Sequence, residues 1–184
     1  DWSEKTATLS YKANGHGSDS SVTMKYSAAT YAKTMSGVTG YNFVKWCTNS
    51  NGSGTCYNGG STVKGANVEP SAKTLYAIWS EQTATVTYNA NGGTGGPATG
   101  TMRYSQVVNA ASEITATGYS FAKWCTNAAG TGTCYNAGAQ IKAARVTPTA
   151  MTLYAIWEEV AKPTVSCSVT GTSATGTGST KEDL

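Results

Sequence analysis

Four cysteines in two pairs carry the best-defined chemistry in this chain. Cys47 and Cys56 have eight residues between them, and so do Cys125 and Cys134. The intervening residues 48–55 and 126–133 are built from Thr, Asn, Gly, Ser and Ala. Such a segment folds back easily and brings two Cβ atoms within bridging distance. Closing a loop of that size stabilises a module by roughly 2.5–3 kcal/mol in the chain-entropy account. Two disulfides, Cys47–Cys56 and Cys125–Cys134, are therefore expected, together with an oxidising, extracellular setting. Metal is the rival reading. One thiolate pair supplies two of the four zinc ligands, so both pairs would have to converge on one site. His16 is the single histidine and has no counterpart, because Gly93 stands near that place in the second half. No metal and no cofactor is expected.

Other reactive groups are sparse. Asp19, Glu69 and Glu113 are the carboxylates within the two halves, and none recurs. A paired-carboxylate mechanism needs two of them facing one substrate. A serine or cysteine nucleophile needs a base, and His16 sits in an Asn-Gly-His-Gly turn that reads as an exposed loop. Gly92-Gly93-Thr94-Gly95-Gly96 lacks the Lys-Ser/Thr of a phosphate loop and reads as a hairpin turn. Lys45 and Lys123, each beside a tryptophan, raise the possibility of an isopeptide bond. That reaction needs a nearby carboxylate, and Thr147 stands where the first half has Glu69. These lysines are expected to lay their stems on an aromatic neighbour. Asn51-Gly52-Ser53 is a formal glycosylation sequon and reads as a polar loop. Catalytic residues: none are assigned.

The elements that must position these groups occur twice. Trp46, Cys47, Cys56 and Trp79 recur as Trp124, Cys125, Cys134 and Trp157, all displaced by 78 positions (46 to 124). Tyr11 and Asn14 recur as Tyr88 and Asn91, displaced by 77 (11 to 88). Trp2-Ser3-Glu4 matches Trp79-Ser80-Glu81, so residues 1–4 read as the end of a preceding repeat. Residues 5–79 and 83–157 then form two modules, 80–82 a linker, and 158–184 a linker with a partial further module or a flexible tail. Repeats of this kind connect or display.

Each module reads as mainly β. Ala84, Val86 and Tyr88 fall on one face of a strand, with Thr83, Thr85 and Thr87 on the other. Residues 6–11 follow the same pattern, and Asn14-Gly15 and Asn91-Gly92 are hairpin-turn signals. Residues 24–35 and 102–114 are less regular. In the second copy, Val107, Val108, Ala111 and Ile114 would make one face of a short helix, which the first copy supports weakly. Residues 41–46 and 119–124 read as the central strand, and residues 74–79 and 152–157 as the most apolar one. Trp46, Trp79, Trp124 and Trp157 are assigned to the cores, since each can bury 150–250 Å². Val165, Cys167 and Val169 share a face. They suggest the first strand of a different module, with the partner of Cys167 beyond Leu184.

The blocks 86–93 (VTYNANGG), 118–124 (GYSFAKW) and 152–157 (TLYAIW), with their counterparts at 11–15, 40–46 and 74–79, resemble the Listeria–Bacteroides repeat, also called the InlB B-repeat. The resemblance covers about 150 of the 184 residues. It implies tandem small β-grasp-like modules, a place on the bacterial cell surface and no enzyme activity. Many relatives have Gly where this chain has Lys45 and Lys123, and many lack the cysteine pair.

Composition points the same way. Charged residues make up 12% of the chain, against roughly 25% in an average soluble protein. The net charge of +3 is scattered, so no nucleic-acid partner is expected. No apolar run reaches the length of a membrane span. Because the chain reads as beginning mid-array, the lack of a leader bears no information on export. The expected role is a non-enzymatic stalk or spacer in a bacterial surface adhesin. The alternatives are a binding module for carbohydrate or a host or neighbour-cell surface protein, and a self-associating fibre subunit. Tyr57 and Tyr135, each directly after the second cysteine of a pair, are the candidate binding residues, ahead of Tyr31 and Tyr104.

Overall fold

A computed structural model describes residues 1–162 and Gly171. The strand expected around Cys167 lies outside the described residues. Module 1 consists of β1 (Thr6–Lys12), β2 (Ser20–Lys25), β3 (Thr30–Tyr31), β4 (Tyr41–Cys47), β5 (Cys56–Tyr57), β6 (Thr62–Lys64) and β7 (Lys73–Glu81). Module 2 repeats it as β8 (Thr83–Asn89), β9 (Thr99–Arg103), β10 (Val108–Asn109), β11 (Tyr119–Cys125), β12 (Cys134–Tyr135), β13 (Gln140–Lys142) and β14 (Met151–Glu159).

The sheet of module 1 has the order β2-β1-β7-β4-β5, and that of module 2 has the matching order β9-β8-β14-β11-β12. β1 and β7 run parallel, as do β8 and β14, while the other neighbours are antiparallel. This is the β-grasp-like arrangement, with the first and last long strands side by side. A two-stranded ribbon, β3 with β6 or β10 with β13, covers each sheet.

No helix occurs among the described residues, which corrects the helical expectation for 102–114. Val108 and Asn109 form β10 and pair with Lys142 and Gln140. The Ala110 N–H donates to Ala139 O, and the Ala111 N–H to the Tyr88 hydroxyl. Distant partners thus satisfy the backbone groups that a helix would have paired locally. Val107, assigned to the apolar face, is 52% exposed.

The period-two pattern buries one face of each first strand. Leu9 and Tyr11 meet Met24, Ala32, Trp46, Leu75 and Ala77 in module 1. Val86 meets Met102, Ile114, Trp124, Ile141, Leu153 and Ala155 in module 2. Trp46 and Trp124 are fully buried, and Trp79 and Trp157 pack on the cores half-buried. Each buried polar edge is satisfied. Trp46 Nε1 donates to Lys33 O at 2.7 Å and Trp124 Nε1 to Ala111 O at 3.1 Å. Trp79 Nε1 donates to Ala13 O, and Trp157 Nε1 to Ala90 O and Asn91 O.

Asn14 and Asn91 sit at positive φ, 55° and 48°, a conformation that asparagine tolerates better than most residues. Their carboxamides do more than permit a turn. Asn14 Nδ2 donates to Ser50 O and Ala77 O, and Asn91 Nδ2 to Ala128 O and Ala155 O. The first turn is thereby tied to the last strand and the cysteine loop.

Candidate functional site

Cys47 stands directly opposite Cys56 across β4 and β5, and Cys125 opposite Cys134 across β11 and β12. Both pairs are disulfides, each with a Cα–Cα distance of 4.1 Å. Side chains hold each loop as well. The Thr48 N–H donates to Thr55 O, and the Thr55 N–H to Thr48 Oγ1. Thr126 and Thr133 repeat both bonds. Glycine is needed at the base of the loop, since a Cβ on Gly54 or Gly132 would lie 2.2 Å from that threonine hydroxyl.

Tyr57 and Tyr135 pair with Trp46 and Trp124 across the same ribbons and lie half-buried against the cores. The Tyr57 hydroxyl accepts a hydrogen bond from Lys73 Nζ at 3.0 Å. Met151 pairs with Val86 at the start of β14, where module 1 has Lys73, so module 2 lacks that bond.

The Asp19 carboxylate bonds both a surface lysine and the backbone. Asp19 Oδ2 meets Lys12 Nζ at 2.9 Å while its Oδ1 accepts the Ala13 N–H, and the Lys12 bond holds the Asp19 carboxyl below its usual range. Glu69 meets Lys5 at 3.0 Å. His16, expected in an exposed loop, is half-buried. It stacks on Tyr41 with ring centroids 3.9 Å apart and meets the Trp79 ring edge-on at 5.7 Å. Its counterpart Gly93 has no room for a side chain, because a Cβ there would lie 2.1 Å from the Trp157 ring.

Sequence reasoning missed the most enclosed charges. Lys64 and Lys142, each 7% exposed, are the buried charged residues of the described chain. Lys64 Nζ donates to Tyr26 O at 3.1 Å, Gly65 O at 2.6 Å and Val68 O at 3.0 Å. Lys142 Nζ donates to Tyr104 O at 3.2 Å, Gln106 O at 3.0 Å and Ala143 O at 2.8 Å. All three ammonium protons are used, and the partners are neutral carbonyl dipoles. The signal was present as a lysine repeated at the shared displacement of 78 (64 to 142). Lys45 and Lys123, the lysines beside the tryptophans, are half-buried on their strands.

These groups make a framework: the two cysteine pairs are oxidised, Lys64 and Lys142 are caged, and Asp19 and Glu69 bond the backbone or a surface lysine. Among the described residues no three His, Cys, Asp or Glu side chains gather where they could hold a metal ion.

The Listeria–Bacteroides repeat domain matches residues 8–78 and again 85–156. The chain belongs to the Listeria–Bacteroides repeat family. Its two copies are a disulfide-bearing variant of that repeat. Repeats of this family are typical of bacterial surface proteins and typically non-enzymatic. A protein of Evansella cellulosilytica named "Putative Gly-rich membrane protein" is 37% identical over 129 residues, 65% of this chain. The match spans 14% of that protein's length. No helix among the described residues is long and apolar enough to cross a membrane.

Proposed function

We propose that this chain is a non-enzymatic stalk in a surface protein of a bacterium, exposed outside the cell, where it holds an adhesive or otherwise active region away from the envelope. The observation that carries this reading is the duplication of a complete framework with one residue, Gln82, between the last strand of one copy and the first of the next. The disulfide, the caged lysine, the tryptophan caps and the asparagine clamp all recur. What the two copies share is what keeps a small β-module folded. A binding role for Tyr57 and Tyr135 toward carbohydrate or a host protein draws less support, since both rings lean on their cores.

Small-angle scattering tests the stalk. Two modules of this size stacked end to end give a maximum dimension of about 60–70 Å, twice the ~30 Å of one module. A compact profile near ~45 Å would mean that the copies fold onto one another and that the spacer reading fails.

A further inference from the structure

The two modules meet through contacts that cross the linker. β7 ends at Glu81 and β8 begins at Thr83, so Gln82 is the whole connection between the sheets. Its N–H donates to Gly40 O in module 1, and its carbonyl accepts the Tyr104 N–H of module 2. Each bond fixes one of the two peptide planes flanking Gln82 to the nearer module. What stays soft between the modules is the φ and ψ of that one residue.

Side chains bear on that rotation. The Tyr104 ring lies over Gly40, so close that a Cβ on that glycine would come within 2.2 Å of it. The same ring meets the Tyr41 ring edge-on, with centroids 5.7 Å apart, a favoured aromatic geometry. Glu81, the last residue of β7, accepts the Ser105 N–H at 2.6 Å and pairs with Arg103 at 3.7 Å. The Gln82 carboxamide donates to Asn42 Oδ1 at 3.3 Å. Turning module 2 about Gln82 would lift the Tyr104 ring off Gly40 and draw Ser105 and Arg103 away from Glu81.

Tyr104 is itself held from within module 2. Its carbonyl accepts the Arg145 N–H at 2.7 Å and the Lys142 ammonium at 3.2 Å. With its N–H on Gln82, both of its backbone groups are bonded, and the ring is carried on a fixed base. The cage around Lys142 thus anchors the residue that touches module 1.

Domains joined in one chain move relative to one another by default, unless the contact between them is extensive. We propose that Tyr104 overrides that default: its ring, seated on Gly40 and Tyr41, locks the joint, so that the two modules turn in solution as one rigid body. Glycine at position 40 belongs to the lock, because a side chain there would exclude the ring. The lock rests on the stalk reading for its use, since a stiff joint keeps a spacer extended. The two fail separately. A compact scattering profile removes the stalk and leaves the lock standing, whereas an elongated chain hinged at Gln82 removes the lock alone.

Residual dipolar couplings from the whole chain, weakly aligned in solution, test it. In the wild type, the amide couplings of residues 6–81 and 83–159 should fit a single alignment tensor. Tyr104→Ala should lose that common fit while each module still fits a tensor of its own, which shows that both remain folded. Tyr26→Ala removes the counterpart tyrosine of module 1 and leaves the joint contacts in place, so its modules should still share one tensor. A wild type that needs two tensors, or a Tyr104→Ala chain that keeps one, would overturn the proposal. So would a Tyr26→Ala chain that loses the common fit, because loosening would then follow from the loss of either tyrosine and not from the joint.

Discussion

At the scale of single residues, the strongest constraint is an ammonium without a counter-ion. Three carbonyls cage Lys64 and three cage Lys142. A methionine has nearly the same stem and no donors. Lys64→Met therefore leaves Gly65 O and Val68 O without their ammonium partner, while Tyr26 O keeps the Asn67 N–H. Buried groups stripped of a charged partner cost about 2–4 kcal/mol in total. Urea unfolding should show that loss, whereas Lys45→Met on the central strand should stay within about 0.5 kcal/mol. Equal effects at the two positions would mean that the cage contributes no stability of its own.

At the scale of elements, the ribbons β4–β5 and β11–β12 close loops that are held in two ways, by the disulfide and by the threonine pair at its base. The two contributions are separable. Replacing Cys47 and Cys56 together by serine should lower the stability of module 1 by roughly 2–3 kcal/mol and leave the strand content unchanged, because Thr48 and Thr55 still pair. Thermal melts followed by far-ultraviolet dichroism, with and without reductant, read both quantities. A melting temperature indifferent to reductant would show that the threonine pair suffices. The ribbons β3–β6 and β10–β13 carry a different lesson. They are two or three residues long, and only their partners across the module make them strands.

At the scale of the whole molecule, Gly40 and Gly118 separate local backbone strain from contact between modules. Their φ values, +82° and +80°, are nearly equal, so alanine meets the same backbone strain at both. Only at Gly40 does a Cβ also strike the Tyr104 ring. Gly40→Ala should therefore cost about 1–3 kcal/mol more than Gly118→Ala, the range for forcing extra atoms into a packed site. Paired denaturant titrations give the difference. Equal losses would leave Tyr104 with no role in joining the modules.

The sequence by itself determined the duplication, the β character, the cysteine spacing and the tryptophan cores. Each of these rests on local pattern or on identity between copies. Alternation in 83–88 buries Val86 because successive side chains of a strand point to opposite faces. Asn14-Gly15 makes its turn because both residues accept positive φ. Only the tertiary structure decided the rest. Residues 102–114 carry a spacing compatible with a helix, and hydrogen-bond partners near Ala139 and at Tyr88 draw them into extended pairing. Lys64 looks like any surface lysine until the distant Tyr26 O joins the nearby Val68 O around its ammonium. Tyr104 and Tyr26 occupy equivalent places in near-identical modules. Tyr104 packs edge-on against Tyr41 of module 1, while Tyr26 stands 42% exposed. Burial and partnership depend on what lies across space, and that is settled when distant segments meet.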